Sequence, residues 1–180
     1  DPENRLLAHM NRRRLDAECL RDAMLTISGR LDRTLGGPTI KKGTTSEITY
    51  RFDDTRRSVY TPIFRNKLLE LFEVFDFGDP NLVTGRRNVS TVATQALYLM
   101  NSPFVREQAR HAAQTLLAAT NLDDNGRVDR AYRLAFGRLP TPREREIALA
   151  FLDSSGGDRL DAWQRLYQAL FACIDFRYVN

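Results

Sequence analysis

Apolar residues return at helical spacing along most of this chain, and nearly every run is closed by a residue that starts or stops a helix. Leu20, Ala23, Met24, Ile27 and Leu31 form one stripe, with Glu18, Arg21 and Asp22 on another side. This predicts a helix from about Leu15 to Ser28, ended by Gly29. Leu68, Leu69, Phe72 and Phe75 predict a second after Pro62, and STVATQALYLMN a third, with Ser90 or Thr91 as its natural cap. Asn101-Ser102-Pro103 stops that helix and starts the next, on which Val105, Ala109, Ala112 and Leu116 lie. Val128, Ala131, Tyr132 and Ala135 lead to a stop at Gly137. Thr141-Pro142-Arg143-Glu144 is a capping box ahead of Ile147, Ala148 and Phe151. From about Leu160, Trp163, Tyr167, Leu170 and Ile174 share one face, as a buried helix requires. Short connections between about seven such helices predict an all-α helical bundle.

Residues 36–58, GGPTIKKGTTSEITYRFDDTRRS, break this rhythm. Turn formers and β-branched residues replace the helical period, so the segment is expected to be an irregular insertion, or in part a flap. Ile48, Tyr50 and Phe52 alternate with polar residues, which suits a short strand or hairpin pairing with Val59 to Ile63.

The 180 residues suit a single helical domain, and no apolar run approaches the length of a membrane span. The start DPENRLL has no initiator Met and no leader pattern, so the chain is expected to be a piece of a longer protein. The net charge is only +4, yet the cations are 24 Arg and 3 Lys. Arginine pairs bidentately with carboxylates and phosphates, so its abundance admits two readings: surface pairing with the 23 acids, or a face for polyanions. Runs such as RRRLDAE, FDDTRR and PREREIA put most Arg beside an acid and favour pairing. Arg12-Arg13-Arg14, Arg56-Arg57 and Arg86-Arg87 could meet phosphates. The mild charge, with no interleaved aromatics and no known motif, argues against nucleic acid as a partner.

Other chemistries find little support. His9 and His111 have no Cys or His at ligand spacing, so no metal site is expected. NLDDNGRVDRAY resembles a calcium loop until its twelfth position proves to be Tyr132, and Asp123 and Asp124 read better as helix caps. Cys19 and Cys173 read as isolated core thiols, and no nucleophile elbow, phosphate loop or dinucleotide fingerprint is present. Glu18 and Asp22, four apart on one helix face, form a carboxylate pair in which one pKa could be raised, although Arg14 and Arg21 nearby suit a paired surface.

The densest polar cluster outside a helix is FDFGDPNLVTGRRN, which holds Asp76, Asp79, Asn81, Arg86, Arg87 and Asn88. It could be a binding loop, or a joint between two helices held by Asp–Arg pairing. Asp76, Asp79, Asn81, Arg86 and Arg87, with Arg57 and Tyr60 ahead of the second helix, are therefore the candidate binding residues. Arg14, Asp16, Arg21, Asp22, Gln95 and Asn101 are candidates for a structural polar network.

Five blocks occur in order: NRRRLDAECLRDAMLTISGRLD, RRSVYTPIFRN, FDFGDPN with GRRNVSTVATQALYLMNSPFV, AYRLAFGRLPTPRE and FACIDFRYVN. In this series the chain resembles the planctomycete secreted C-terminal domain, domain-of-unknown-function family fifteen fifty-three. The resemblance spans nearly the whole chain, residues 38–55 excepted. It marks Arg13, Arg14, Asp16, Arg21, Asp22, Arg57, Ser58, Tyr60, Asp76, Asp79, Arg86, Thr91, Gln95 and Asn101. It implies the C-terminal part of a large extracytoplasmic protein, packed against an adjacent domain of the same chain. It also implies no cofactor in this domain, with haem in another part of the parent.

Two functions follow as expectations. One is a non-catalytic accessory module that packs on its neighbour and contributes to polysaccharide binding. The other is an enzyme domain acting on extracellular glycans through Asp76, Asp79, Arg86 and the Glu18/Asp22 pair. Polyanion binding by the Arg clusters is a third, weaker idea.

Overall fold

The computed structural model, which describes residue 1 and residues 3–179, has eight α-helices, one more than the stripes predict: the last stripe breaks at Cys173, where the backbone is extended, and Ile174 is exposed on a short separate helix. In chain order the helices are α1 (Ala17–Ile27), α2 (Glu70–Val74), α3 (Ala93–Asn101), α4 (Pro103–Leu117), α5 (Asp124–Phe136), α6 (Pro142–Ser154), α7 (Arg159–Ala172) and α8 (Ile174–Arg177). Two short strands, β1 (Arg13–Arg14) and β2 (Tyr178–Val179), complete the element list. The molecule is thus a helical bundle, as the periodicity requires.

The bundle is built around α7. Its most extensive partner is α4, and α3, α5, α6 and α8 also pack on it. Helix α4 offers Val105, Ala109, Ala112, Ala113 and Leu116 to the core, and α7 offers Trp163, Leu166, Tyr167 and Leu170. Three alanines on α4 let the two backbones approach closely, while the indole and phenol of α7 fill the remaining volume. Gln168 on α7 adds a polar anchor, donating to the carbonyl of Met100 at the end of α3 (2.6 Å). That satisfies one of the carbonyls a helix end leaves unpaired.

Helix α1 docks on α4 through its buried end, where the Ser28 hydroxyl donates to Gln108 Oε1 (2.9 Å). The caps behave largely as local chemistry dictates. Asp123 accepts from the Gly126 amide (2.8 Å) and starts α5, so the calcium-like sequence is a helix start. Gly137, at φ 70°, ends α5 in the left-handed region where a side chain is unfavourable. Thr141 and Glu144 close the capping box of α6. Glu144 also receives two hydrogen bonds from Arg138, both 2.7 Å, and Arg138 reaches Asp175 of α8 at 3.1 Å.

The β pairing lies elsewhere than the alternation at 48–52 suggests. Strand β1 runs antiparallel to β2, with Arg13 opposite Val179 and Arg14 opposite Tyr178. The two ends of the described chain are thereby joined. Residues 48–52 make no ladder, and Ser58–Tyr60 form a 3₁₀ turn where a partner strand was expected. Side chains replace the ladder: Lys67 Nζ donates to the carbonyls of Ile48 (2.6 Å) and Tyr50 (2.8 Å). Tyr50 meets Phe52 and Phe64 edge-on at 5.1 and 5.2 Å between centroids, so these rings form a cluster in place of a pleated face. The insertion is irregular but anchored.

Two measurements test this packing. Trp163→Ala is expected to cost about 3–5 kcal/mol in urea unfolding, against about 1 kcal/mol for the surface cap variant Thr141→Ala. Equal small losses would contradict a bundle centred on α7. The hydrogen bonds from Arg138, joined by those of Thr141, hold the Glu144 carboxyl down at about 2 despite some burial. A lowered native value means the pair's contribution is complete above the ordinary carboxylate range and is lost as pH falls toward about 2. The Tm difference between the parent chain and Glu144→Gln should therefore be present at pH 7 and shrink steadily below about pH 4.3.

Candidate functional site

Helix α2 ends at Val74, and two residues later Asp76 takes φ 58°, a left-handed turn that Asp tolerates better than most residues. The turn aims its carboxylate back into the joint. There it meets Arg14 of β1 (2.6 Å), the Ser90 amide (2.9 Å) and the Ser90 hydroxyl (2.7 Å). Arg14 also donates to the Ser90 carbonyl. Fully buried Gln95 donates to the carbonyls of Val74 (3.1 Å) and Ser90 (3.2 Å). One clasp thus ties β1, the end of α2 and the start of α3.

Burial alone would raise the Asp76 carboxyl. The Ser90 amide, Arg14 and the Ser90 hydroxyl together outweigh it and hold the value below the ordinary range. Ser90 is consequently not the cap of α3. That helix begins at Ala93, with Val92 in the cap position and no side chain bonded there. The pairing partner of Asp76 is Arg14, and neither Arg86 nor Arg87 of its own loop reaches it.

A second clasp ties α1 to residues 54–58. Asp22 accepts from the Ser58 amide (2.8 Å) and hydroxyl (2.7 Å). Buried Arg21 donates to the Arg56 carbonyl (2.8 Å), the Asp54 carbonyl and Ser58 Oγ (3.2 Å). Glu18, one turn before Asp22, is taken instead by Arg87 at 2.7 Å. The two carboxylates of α1 therefore serve different partners.

The other sequence candidates divide among local roles. Asp79 accepts from the Asn81 amide (2.8 Å), closing their turn, and Asn81 Nδ2 donates to the Arg65 carbonyl (3.5 Å). Tyr60 is covered on its face by Arg56 at 4.0 Å, and its hydroxyl accepts from the Gly36 amide (2.8 Å), so it pins the insertion. Arg57 is exposed and has no side-chain bond among the described residues. Asn101 donates to Leu97 of its own helix (3.0 Å), apart from both clasps. Asp16 is exposed and its carboxylate has no partner among the described residues. Cys19 and Cys173 are free and exposed, where helical position suggested core thiols. Although each residue is exposed overall, partial desolvation of its sulfur, with nearby carboxylates, raises both thiols, the opposite of what a nucleophile needs. No group of metal-ligating side chains occurs among the described residues.

The clasps leave one recess with a pronounced chemical character. A cavity of about 470 Å³ opens beside β1, lined by Arg12, Arg13, Arg14, Arg86 and Arg87 together with Asp16, Val89 and Tyr178. Three of these cations are engaged: Arg12 with Asp175 (2.8 Å), Arg14 with Asp76 and Arg87 with Glu18. Arg12 also lies over the Tyr178 ring at 4.9 Å and Arg87 over Phe77 at 4.5 Å. Arg13 and Arg86 have no ion pair among the described residues. Sequence reasoning saw the two Arg runs separately and missed Tyr178, because no short-range pattern announces that β2 lies against β1.

A family model described as PSD1, protein of unknown function (DUF1553), matches residues 1–152. No curated protein and no solved structure was found to match the chain.

Arg14→Ala, which strands a part-buried carboxylate, is expected to cost about 3 kcal/mol in denaturant unfolding. Asp76→Asn keeps the left-handed turn but removes the charge and turns one acceptor oxygen into a donor facing Arg14 and Ser90, so it should also destabilise the chain at pH 7. Because the native value of Asp76 is lowered, that destabilisation should fade as pH falls below the ordinary carboxylate range. An Arg14→Ala variant as stable as the parent would show that the clasp does not hold the joint.

Proposed function

Because this chain belongs to the family of proteins of unknown function DUF1553, whose description supplies no reaction, we propose a function from the geometry. The chain is a non-catalytic helical accessory module of a larger extracytoplasmic protein, where it packs on an adjacent domain and contributes a carbohydrate-binding surface. The observation that carries this reading is the division of labour among the polar residues. Asp76, Asp22 and Glu18 are each spent on a separate partner within the fold, whereas Arg13 and Arg86 remain turned to an open recess. Glycoside hydrolysis needs two carboxyl groups facing one gap, with one of them raised. Asp76 is instead lowered and locked beneath Arg14.

Donors in excess over acceptors suit a ligand rich in oxygen acceptors, and saccharide chains are such ligands. The exposed apolar side chains Leu82, Val83 and Val89 border the same loop and provide surface for a neighbouring domain. Among the described residues, no helix is long and apolar enough to cross a membrane.

The test is a glycan-array and sulfated-polysaccharide screen on the full-length protein, intact and lacking residues 1–180. Binding that falls at least about tenfold on removal of this chain is expected. Undiminished binding would overturn the accessory role.

A further inference from the structure

Resting on that carbohydrate reading, we infer that the recess between β1 and the 86–89 loop selects acidic polysaccharides, gripping a sugar-borne carboxylate or sulfate between Arg13 and Arg86. Five guanidiniums converge on this space, and the one carboxylate in its lining is Asp16. Three of the five are held by acids that lie outside the lining, so they are fixed in place and largely neutralised. The positive field facing the recess therefore comes chiefly from Arg13 and Arg86. Asp16 repels an anion from its own side and confines it toward that pair.

The segments that carry the two cations are anchored. Arg13 is carried on β1, whose backbone is paired to β2, and Arg86 is next to Arg87, anchored on Glu18 and Phe77. Preformed guanidinium forks lose less entropy on gripping an oxyanion than flexible ammonium groups do. Arg13 and Arg86 also line a second hollow of about 850 Å³, whose other residues include Leu7, Met10 and Asn11. The two hollows share Arg12, Arg13 and Arg86, so an extended polymer can cross the pair with its charged group between them. A single-stranded nucleic acid fits this surface less well. It binds by stacking bases on open aromatic faces, and the one aromatic ring in the recess, Tyr178, is already covered by Arg12.

The test measures binding of the full chain to polygalacturonate, dextran sulfate, neutral dextran and a single-stranded oligonucleotide at two salt concentrations. One or both acidic polysaccharides should bind, more weakly at high salt, and which one binds identifies carboxylate or sulfate as the recognised group. The double variant Arg13→Ala/Arg86→Ala should lose about tenfold or more in affinity. Arg106→Ala/Arg110→Ala removes the same charge from the exposed side of α4 and should change affinity less than about twofold. Both variants alter exposed side chains, and unchanged unfolding midpoints will establish that they fold. Neutral dextran bound as well as the acidic polymers, or acidic binding untouched by the first variant, would overturn the inference and leave the carbohydrate reading standing. Binding to no polysaccharide would overturn both. Tighter binding to the oligonucleotide would overturn the assigned ligand class.

Discussion

The contact of α7 with α4 sets the frame on which every other element is placed. It joins a row of alanines to a row of large side chains, so the helix axes come close while Trp163 and Tyr167 occupy the space beside them. Once that pair is formed, α1 has a surface on which Ser28 can meet Gln108, and α3 has a helix whose Gln168 reaches its last carbonyls. The remaining helices then pack around an existing core. This order is one of dependence in the structure: the polar clasps lie at the rim of that core and have nothing to brace against without it.

At the rim, charge does work that regular structure performs elsewhere. The backbone of 48–58 has carbonyls that a strand partner could have satisfied, and Lys67 and Arg21 satisfy several of them instead. Likewise α3 starts without a capping side chain, and the Ser90 hydroxyl that could have served is drawn to Asp76. In both places a cation or carboxylate from a distant element outcompetes the local solution. Charge-assisted hydrogen bonds in a partly buried setting are stronger than the neutral cap or ladder bond they displace. The consequence for function is a separation of roles: the acids that looked most chemical in the sequence are structural partners, and the cations left over define the recess.

The family membership and the geometry bear on different questions. The family description carries no activity, so it places the chain without assigning it a reaction. The recess assigns a chemistry to a surface without requiring any knowledge of relatives. Arg12 and Arg138 share Asp175, which links the recess to the start of α6 through one carboxylate on α8. The wall of the recess draws on both ends of the described chain as well as the central 86–89 loop, and Tyr178 lies beyond the residues that the family model matches.

Read alone, the sequence determined seven of the eight helices, their caps at Asp123, Gly137 and Thr141, and the irregularity of 36–58, though not the break at Cys173 that leaves Ile174 exposed on α8. Each of these depends on neighbours three or four residues away, or on a backbone angle that one residue type prefers. It also marked Asp76, Arg14, Gln95 and the two Arg runs as polar groups needing an explanation. It could not say that Arg14 would take Asp76 across 62 positions, or Arg12 take Asp175 across 163. It could not place the β pairing at the chain ends or bring Tyr178 to the recess. Those choices belong to the tertiary structure, because which cation meets which carboxylate is decided by the packed helices that carry them, and no spacing along the chain encodes that distance.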